Sequence, residues 1–292
     1  MKRILIVGAG GFIGKNLKEY LQDHYDVYSP GHEELDALSE EAVVDYLKQN
    51  QFDTVVHAAI YNPRVGTGKD ATKEIENDLR LYMNFAKHED LYGRMFYFGS
   101  GAEFNKAYPV VNAGEDTDRG IHENAYAFAK YMINQDIRHR KLVYNLRIFG
   151  LFGPYENWVK TFISGACCKA MYDLPITIRQ NVYFDYLYIR DFCRIMERLI
   201  ETPMLHYHDY NVVSGKRIDL CTIADLVKKV SKKDVPVIVC REGMGNEYTA
   251  SNARLREELG DISYTDMEES IRNLYAWYCE HRDEIELEKL LY

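Results

Sequence analysis

The sequence predicts an α/β protein that consists of a doubly wound parallel sheet and a smaller, irregular α/β domain towards the C-terminal end. Three observations support this class. An aliphatic run near the start of the chain leads into a glycine-rich turn and a helical pattern, strand-like and helix-like runs then alternate, and the alternation becomes irregular after about residue 155. Strands that alternate with helices pair in parallel, and such sheets bind ligands at the carboxyl ends of their strands.

The first strand and the turn after it have the pattern of a phosphate-binding loop. Arg3–Val7 contains no turn residues, as is typical of a buried parallel strand. It leads directly into the run Gly8-Ala9-Gly10-Gly11-Phe12-Ile13-Gly14. In this pattern Gly8 permits a tight turn, Gly11 lets a pyrophosphate approach the backbone, and Gly14 packs the helix against the strand. The free N–H groups at the start of the helix attract the anion, so the run predicts a Rossmann-type dinucleotide site.

Four further strand-like runs follow in the first half of the chain. They are Asp26–Ser29, Thr54–Ala59, Met95–Phe98 and Val143–Phe149, separated by helical patterns that begin near Ser39 and span Asp70–Lys87 and Glu123–Arg138. Because the carboxyl ends of parallel strands converge, we expect the glycine turn, Ala58, Ala59, Ser100 and Phe149 to line one cleft. His57 lies inside a buried strand, and we interpret it as a hydrogen-bonded core histidine rather than a catalytic one.

The organisation of the chain changes near Gly153-Pro154. We predict a dinucleotide-binding domain over residues 1–155, to which the chain returns near residues 186–213, and a mainly substrate-binding part over residues 156–292. The patterns of the second part predict helices at 158–171, 222–230, 252–259 and 267–280, and strands at 207–213 and 235–239. No linker rich in proline, glycine or serine separates the two parts, so we expect them to share an interface.

Composition and charge limit the partners of the protein. Of its 292 residues, 47% are hydrophobic and 28% are charged, as in ordinary globular proteins, and the formal net charge is −9. This negative charge argues against nucleic acid or an anionic membrane as the main partner and favours a small-molecule substrate. The sequence shows no signal-peptide core, no membrane-spanning run and no zinc-type spacing among its cysteines. We therefore expect a cytoplasmic protein with reduced thiols and no metal site.

The helix predicted over residues 123–138 carries a pair of side chains that suits proton transfer. Tyr126 and Lys130 are four residues apart, so a phenol and an ammonium lie side by side on one helix face. A free tyrosine has a pKa near ~10, and a neighbouring cation lowers the pKa towards the range of general acid–base catalysis. With 24 tyrosines in the chain, this spacing also arises by chance. The pair therefore predicts catalysis only together with the glycine turn and the strand ends.

These motifs together resemble the extended short-chain dehydrogenase/reductases, the NAD(P)-dependent epimerase/dehydratase family that acts on nucleotide sugars. The resemblance covers nearly the whole chain and rests on motifs in the family's order: Gly8-x-x-Gly11-Phe12-Ile13-Gly14, Val55-Val56-His57-Ala58-Ala59, Gly99-Ser100, Tyr126-x-x-x-Lys130, Arg147 to Pro154, Tyr210-Asn211-Val212, Leu259-Gly260 and Tyr275-Ala276-Trp277-Tyr278. Within the family, Gly99-Ser100 and Glu34-Leu35-Asp36 are most similar to the GDP-fucose synthase and dTDP-4-dehydrorhamnose reductase subgroups.

The resemblance implies a role for each matching residue. In the implied catalytic triad, Ser100 polarises the substrate oxygen, Tyr126 passes a proton, and Lys130 holds the nicotinamide ribose and tunes Tyr126. The cofactor, NADP or NAD, would contact a larger set of residues: Gly8, Gly11, Phe12, Ile13, Gly14, Asp36, Ala58, Ala59, Tyr126, Lys130 and Phe149. The substrate-binding residues implied are Asn157, Lys160 and Arg179.

Two departures from the family pattern narrow the chemistry. Sugar 4,6-dehydratases of the family carry Asp-Glu after the active-site hydroxyl residue, whereas Gly101-Ala102 follow Ser100 here. GDP-fucose synthases epimerise ring carbons with a Cys and a His, which align with Ala102 and Val159, and neither of these side chains moves a proton. A 4-ketoreductase or a 4-epimerase needs only the triad and the cofactor, and both remain possible.

A third departure concerns the substrate. Phe184 stands where most family members carry an arginine that grips the nucleotide diphosphate, which leaves Arg179, Lys160 or Arg190 as replacements. The sequence predicts an NAD(P)-dependent oxidoreductase that reduces a 4-keto nucleotide sugar. The alternatives are a nucleotide-sugar 4-epimerase with tightly bound NAD and a non-catalytic dinucleotide-binding regulator, because a fold does not fix a function.

The end of the second predicted strand bears on the choice of cofactor. It reads Tyr28-Ser29-Pro30 and has no carboxylate at its tip to bind the 2′-hydroxyl of NAD. No arginine follows that would clamp the 2′-phosphate of NADP, and Glu33 and Glu34 oppose that anion. We therefore expect weak discrimination between NADH and NADPH, with a slight preference for NADPH.

The resemblance also implies a homodimer. In the family, the helices that correspond to residues 70–87 and 123–138 form a four-helix interface. Both helical patterns carry apolar residues beyond one core-facing stripe, namely Tyr82, Phe85, Tyr131 and Ile133. We expect these residues to contribute to the interface.

Overall fold

The computed structural model describes residues 1–63, 68–117, 120, 122 and 124–291. The first half of the chain contains β1 (Arg3–Val7), α1 (Phe12–Leu21), β2 (Asp26–Tyr28), α2 (Glu40–Asn50), β3 (Phe52–His57), α3 (Glu74–Ala86), β4 (Tyr92–Ser100), β5 (Val110–Ala113), α4 (Ala125–Ile137), β6 (Val143–Ile148) and β7 (Gly150–Phe152). The second half contains α5 (Phe162–Met171), β8 (Ile176–Ile178), β9 (Tyr183–Tyr188), α6 (Ile189–Glu201), β10 (Asp209–Val212), β11 (Arg217–Asp219), α7 (Leu220–Ser231), β12 (Val237–Val239), β13 (Tyr248–Ala250), α8 (Ala253–Leu259) and α9 (Met267–Glu280). Within the described residues, no helix combines the length and apolar character needed to cross a membrane.

Six parallel strands form the main sheet, in the spatial order β2-β1-β3-β4-β6-β10. Val7 at the end of β1 lies beside His57 at the end of β3, and His57 lies beside Tyr97 on β4. The strand order reverses next to β1, so the glycine turn after Val7 sits at the switch point where sheets of this kind bind ligands. The predicted doubly wound α/β class is confirmed.

Side chains of the main sheet point alternately into two helical layers. Ile4 and Ile6 pack in a core that includes residues of α1 and α6, whereas Leu5 and Val7 pack in a core that includes residues of α2, α3 and α4. A parallel strand that is covered on both faces has apolar side chains throughout, which explains the uninterrupted aliphatic run of β1.

Several element boundaries differ from the prediction by a few residues, and two of these differences have a clear local reason. The strand predicted over Thr54–Ala59 ends at His57, so its two alanines lie in the loop beyond the sheet. The helix predicted to begin at Trp158 begins at Phe162. The residues before it form a separate turn, in which the carbonyl of Asn157 accepts the N–H groups of the residues three and four positions later.

A second sheet connects distant parts of the chain. Its strand order is β11-β9-β13-β5, and β7 also pairs with β9, while β8 and β12 form a separate two-stranded pair. β5 precedes α4 in sequence and yet pairs with β13, whereas β10 pairs with β6 of the main sheet and α6 packs against α1. The chain therefore crosses several times between the two sheets, in agreement with the absence of a linker.

Three of the four residues predicted to contribute to a dimer interface require correction, whereas Tyr131 is only half-buried and stays a prediction. Tyr82, Phe85 and Ile133 are fully buried in the monomer's own core, so they cannot contact a partner. α3 and α4 both pack against the main sheet and against each other. Because each helix is covered on two sides, its apolar residues extend beyond a single stripe without any contact to a second subunit. On α4, Phe128 and Met132 are instead the exposed apolar residues, with 39% and 41% of their surface accessible.

Candidate active site

The glycine turn after β1 is shaped by two positions that exclude side chains. Gly8 has a φ of +87°, and a Cβ atom there would lie 2.7 Å from the backbone nitrogen of Ala59. A Cβ atom on Gly14 would collide with the carbonyl oxygen of Gly8. The turn consequently lies directly against the Ala58-Ala59 loop that follows β3.

The first turn of α1 fits an anionic group such as the pyrophosphate of a dinucleotide. Gly11 is the residue that caps this helix, so no side chain accepts a hydrogen bond from the first N–H groups, and the first turn contains no acidic residue. A Cβ atom on Gly10 would meet no other atom within 4 Å, so the space above the turn is open. An uncapped helix start with an open glycine surface is a site where the helix dipole and the N–H groups favour an anion.

Ser100 is fixed at the carboxyl end of β4 by a reciprocal pair of hydrogen bonds. Its Oγ accepts the backbone N–H of Ala102 at 3.1 Å, and its own backbone N–H donates to Oε1 of Glu103 at 3.3 Å. This capping box begins a short 3₁₀ turn over residues 101–103. The turn holds the Ser100 hydroxyl at the edge of the sheet where the predicted cleft begins.

A buried charge pair supports this turn from behind. Oε2 of Glu103 accepts Nε of Arg147 at 2.8 Å, and both side chains are completely inaccessible to solvent. Nη2 of Arg147 lies 3.2 Å from Oδ2 of Asp209, and Nδ2 of Asn145 donates to Oε1 of Glu103 at 3.0 Å. β4, β6 and β10 are thus joined below Ser100 by one network of charge-assisted hydrogen bonds.

Tyr248 reaches the active-site serine from the second sheet. Its hydroxyl shares a hydrogen bond with the side chain of Ser100, and its ring packs 4.8 Å from the ring of Phe149. A Cβ atom on Gly101 would collide with the Tyr248 hydroxyl, so glycine at this position leaves the room that the phenol fills. Burial raises the pKa of Tyr248 well above its usual range, so the phenol stays protonated.

The helix α4 carries Tyr126 and Lys130 to the same place. Asn124 caps the helix, because its Oδ1 accepts the N–H groups of Tyr126 at 2.9 Å and Ala127 at 3.3 Å. The Lys130 ammonium lies 5.6 Å from the centre of the Tyr126 ring, as the spacing of four residues predicts. Phenol and ammonium are therefore neighbours on one side of the helix.

Lys130 is anchored below Tyr126 by the strand β4. Its Nζ donates to the hydroxyl of Tyr97 and to the carbonyl of Phe98, both at 2.7 Å. Burial lowers the pKa of Lys130 to about 8, although the nearby carboxylates of Asp78 and Glu103 favour the charged form. The lysine is thus held in one position, with one of its three N–H groups left to a ligand.

Asp78 is a buried acid that interacts electrostatically with this lysine, and the sequence analysis did not identify it. It is only 4% exposed, its Oδ1 accepts the backbone N–H of Tyr61 at 2.7 Å, and burial raises its pKa. Asp78 lies on the core-facing side of α3, where the spacing of the apolar residues predicts another apolar side chain. No local sequence pattern therefore marks Asp78 as part of the site. Asp78 supplies negative charge that offsets the charge of Lys130.

His57 is a core histidine, as predicted. It is 1% exposed, and its Nε2 lies 3.1 Å from the carbonyl oxygen of Leu81. Burial lowers the pKa of His57 to about 4, so the ring is neutral at physiological pH. Because the neutral ring donates from Nε2 to the carbonyl, the histidine is not poised to exchange a proton with a ligand.

Two residues assigned to the cofactor site have contacts that do not involve the glycine turn. Phe149 packs against Tyr248 and against Phe104, with a ring distance of 5.9 Å to the latter. Asp36 is exposed before α2, and its Oδ1 accepts the N–H of Leu38 at 3.0 Å. Their contacts with a dinucleotide stay a prediction.

A cavity of about 400 Å³ opens beside the side chains of Ser100 and Tyr126. Its wall includes Ser100, Tyr126 and Lys106, which come from β4, α4 and the segment after the 3₁₀ turn. The strand end and the helix that the sequence singled out therefore meet at one concave surface. Such a surface, next to titratable groups with altered pKa values, is where substrates bind.

A second cavity of about 340 Å³ lies in the C-terminal part of the chain. Lys160 and Arg179 both line it, together with the basic residues Lys169 and Lys289. Asn157 is not part of the wall, although its backbone supports the turn that presents Lys160. The structure thus brings together two of the three residues assigned to the substrate.

Phe184 is embedded among aromatic rings. Its ring lies 5.3 Å from that of Tyr186 and 5.8 Å from that of Tyr248. Arg190 is exposed in the first turn of α6 and lines neither cavity. Of the three proposed replacements for a diphosphate-binding arginine, Lys160 and Arg179 line the second cavity and Arg190 does not.

Three features define a class of enzymes that use a nicotinamide dinucleotide: a parallel sheet with a glycine turn at its switch point, a serine and a tyrosine at one cavity, and a lysine behind that tyrosine. The model of the NAD dependent epimerase/dehydratase family matches residues 4–213. The protein belongs to this family, and the family predicted from its motifs is confirmed.

Solved structures of the same fold include two sugar-nucleotide enzymes. A GDP-L-fucose synthetase from Naegleria fowleri bound to NADP has a TM-score of 0.79 and 17% identity, over 97% of this chain and 94% of that chain. A dTDP-4-dehydrorhamnose reductase from Bacillus anthracis in complex with NADP has a TM-score of 0.76 and 19% identity, over 94% of this chain and 99% of that chain. The GDP-L-colitose synthase of Yersinia pseudotuberculosis is 36% identical over 58 residues, which are 20% of this chain and 19% of that protein.

Proposed function

We propose that the protein catalyses the NAD(P)-dependent reduction of a 4-keto nucleotide sugar. The observation that carries the proposal is that Ser100 and Tyr126 share the wall of one cavity, with Lys130 fixed behind Tyr126. Solved structures of similar fold include a GDP-L-fucose synthetase and a dTDP-4-dehydrorhamnose reductase, both with NADP. These proteins support a keto sugar as the substrate and NADPH as one of the two possible cofactors.

Each of the three residues has a distinct task in this reaction. The bound dinucleotide supplies the hydride. Ser100 donates a hydrogen bond to the carbonyl oxygen of the substrate, and Tyr126 transfers its proton to the same oxygen. The Lys130 ammonium, 5.6 Å from the Tyr126 ring, stabilises the phenolate that remains, and its third N–H is free to hold a ribose hydroxyl.

The geometry around Ser100 does not support water elimination. Gly101 and Ala102 carry no acid, and the Tyr248 hydroxyl fills the space beside Gly101. Glu103 follows them, but its carboxylate is fully buried and bound to Arg147. A carboxylate held in a buried charge pair does not exchange protons with a sugar in the cavity. Reduction therefore fits the site better than dehydration.

The second cavity supports an anionic nucleotide as part of the substrate. Lys160, Lys169, Arg179 and Lys289 place four basic side chains along its wall, in a protein whose net charge is −9. Such a local reversal of charge favours phosphate groups. Phe184 contributes no charge, so this wall is one candidate source of the positive charge that the family resemblance assigns to an arginine at that position.

A nucleotide-sugar 4-epimerase with tightly bound NAD is the second candidate, because the same three residues would serve it and the family includes epimerases. The two reactions differ in the use of the cofactor. A reductase consumes one NADPH or NADH for each sugar, whereas an epimerase regenerates its cofactor. A non-catalytic regulator would show neither activity, and the buried Lys130 beside Tyr126 argues against it.

Incubation with NADPH or NADH and a series of GDP- and dTDP-linked 4-keto-6-deoxy sugars tests the proposal. We expect stoichiometric oxidation of the cofactor with at least one sugar. Tyr126→Phe should lower kcat by at least ~10²-fold and leave cofactor binding within a few-fold, since it deletes a proton path and not a binding surface. Interconversion of 4-hydroxy nucleotide sugars without net oxidation would establish the epimerase instead. Retention of more than about a tenth of kcat in Tyr126→Phe would refute the assigned role.

A further inference from the structure

Lys106 is a charged residue in the wall of the catalytic cavity that the proposed reaction does not use. Its Nζ lies 3.9 Å from the centre of the Tyr248 ring, in a cation–π contact. Its segment is tied to the second sheet, because Nδ2 of Asn246 donates to the carbonyls of Lys106 at 3.4 Å and Ala107 at 3.0 Å. The ammonium is therefore held in place by an aromatic face and by a supported backbone.

This ammonium lacks an internal counterion. Within the described residues, no carboxylate forms an ion pair with Lys106, although the chain has nine more acidic than basic residues. The residue is open to solvent through the mouth of the cavity, yet the surrounding protein still lowers its pKa by burial. An unpaired cation that is held in place in a cavity wall favours a negatively charged ligand there.

We propose that Lys106 binds an anionic group of the substrate, a phosphate or a carboxylate, inside the cavity that Ser100 and Tyr126 share. The proposal deepens the proposed function and rests on it for the identity of the reacting carbonyl. Binding of the anion itself requires no hydride transfer, so the two can be tested separately.

Tyr248 links this anion site to the reacting group. The ring of Tyr248 supports the Lys106 ammonium, while its hydroxyl is bonded to the side chain of Ser100. On the other side, the Tyr248 ring contacts Phe184, where the family resemblance implies an arginine. Lys106 thus brings a positive charge from a different segment into a region where Phe184 supplies none.

The basic wall of the second cavity is the competing location for an anion. Lys160 and Arg179 line that cavity and are absent from the wall beside Ser100, whereas Lys106 lines only the latter. A ligand held solely in the second cavity would therefore not respond to a change at Lys106. Substitutions in each of the two cavities therefore show which cavity holds the anion.

Calorimetric titration of the NADPH-saturated protein with simple anions tests the proposal. The probes are GDP, dTDP, inorganic pyrophosphate and glucuronate, which differ in whether they present a phosphate or a carboxylate. For at least one probe, Lys106→Met should weaken binding by about tenfold or more, because it removes a charge-assisted contact. Lys106→Arg should restore most of the affinity, and the loss in Lys106→Met should shrink at high salt. Lys48→Met, an exposed lysine on α2, is the matched control and should bind like the wild type.

The pattern across the probes identifies the anion. A loss confined to GDP, dTDP and pyrophosphate assigns a phosphate, and a loss confined to glucuronate assigns a carboxylate. Unchanged binding of every probe in Lys106→Met, with weaker binding in Arg179→Met, would place the anion in the second cavity and overturn the proposal. Failure of the wild type to bind any probe would overturn it as well. If no keto sugar is reduced while anion binding still depends on Lys106, the proposed function fails and the anion site stands.

Discussion

The hydroxyl of Tyr248, on a strand of the second sheet, is hydrogen-bonded to the side chain of Ser100 at the carboxyl end of β4. Oγ of Ser100 also accepts the N–H of Ala102 at 3.1 Å. Burial raises the pKa of Tyr248, so the phenol keeps its proton. The hydrogen bond with Ser100 acts in the opposite direction and lowers this pKa, as expected when the serine O–H donates to the phenol oxygen. Tyr248 thereby orients the Ser100 hydroxyl at the wall of the cavity.

Tyr248→Phe should reduce kcat by about three- to tenfold and leave the affinity for NADPH unchanged, because it removes one neutral hydrogen bond. The phenylalanine ring would still support Lys106. If Tyr248 acts through Ser100, the same substitution in a Ser100→Ala background should have almost no further effect on kcat. Additive losses in the double variant would show that Tyr248 acts independently of Ser100.

The Glu103–Arg147 pair below Ser100 should behave as a buried ion pair, in which removing either charge destabilises the protein because the other charge stays buried. Glu103→Leu should lower the free energy of unfolding by roughly 3–5 kcal/mol, since it leaves Arg147 with less compensating charge in a fully buried site. Arg147→Met should be similarly costly. The double variant should recover much of the loss, because Asp209 keeps its ion pairs with Arg138 and Arg254. Urea denaturation of the four proteins measures this cycle, and equal, additive losses would contradict it.

Local patterns in the sequence predicted the parts of the site that lie close together along the chain. Gly8 to Gly14 form one turn and the start of α1, and Tyr126 and Lys130 lie one helical turn apart, so their spacing in the sequence is enough to place them. Tyr248 comes from the other half of the chain and reaches Ser100 only because β13 joins β5 in the second sheet. Periodicity contains no information about such a pairing, and the same applies to the network of Glu103, Arg147 and Asp209.

The incorrect interface residues illustrate a second limit. Tyr82, Phe85 and Ile133 were expected at a partner surface because they lie beside the main apolar stripe of their helices. A sequence pattern shows that such positions are apolar, but not whether the sheet, a neighbouring helix or a second subunit covers them. Here the packing of α3 against α4 within one chain covers them.

The buried ammonium of Lys130 predicts how stability changes with pH. Burial lowers its pKa in the folded state to about 8, whereas an unfolded lysine titrates near 10.5. Between these values the unfolded chain binds more protons, so the contribution of Lys130 to folding is largest above pH 10.5 and is lost as the pH falls through about 8. Relative to Lys130→Met, the wild type should therefore gain stability on going from pH 7.5 to 10.5, by roughly 3 kcal/mol at most. Parallel denaturation curves for the two proteins across this range would show that the lysine is not buried.

The family resemblance predicts a homodimer, and the exposed residues on α4 indicate where its interface would lie. Sedimentation at micromolar concentration should give twice the chain mass of 34.1 kDa. Replacing Phe128 and Met132 together by Glu should shift the protein towards the monomer, because both are exposed apolar residues on one face of α4. Met204→Glu, at a residue that is 73% exposed outside these helices, is the control and should not change the mass. A single monomeric species in the wild type would contradict the prediction.

The residues after β2 should make the enzyme almost indifferent to the 2′-phosphate of the cofactor. β2 ends at Tyr28, and neither Ser29 nor Pro30 carries a carboxylate that would bind the 2′-hydroxyl of NAD. Arg3 offers no clamp for a phosphate here, because its Nη2 donates to the Tyr28 hydroxyl at 2.6 Å. On the opposing side, Oε2 of Glu34 accepts the N–H of Gly31 at 2.9 Å, which holds a negative charge against the loop just beyond the strand. NADH thus lacks a carboxylate partner for its 2′-hydroxyl, and NADPH meets a modest repulsion between its 2′-phosphate and Glu34. The dissociation constants of NADH and NADPH should therefore differ by less than about tenfold, or ~1.4 kcal/mol.

Calorimetric titration of the wild type and of Glu34→Gln measures this balance. The substitution should improve binding of NADPH by a few-fold and leave NADH unchanged, because it removes a charge that acts only on the 2′-phosphate. Glu33→Gln is the neighbouring control. Glu33 is exposed, and no hydrogen bond within the described residues holds its carboxylate against the loop, so the effect of this substitution should be smaller.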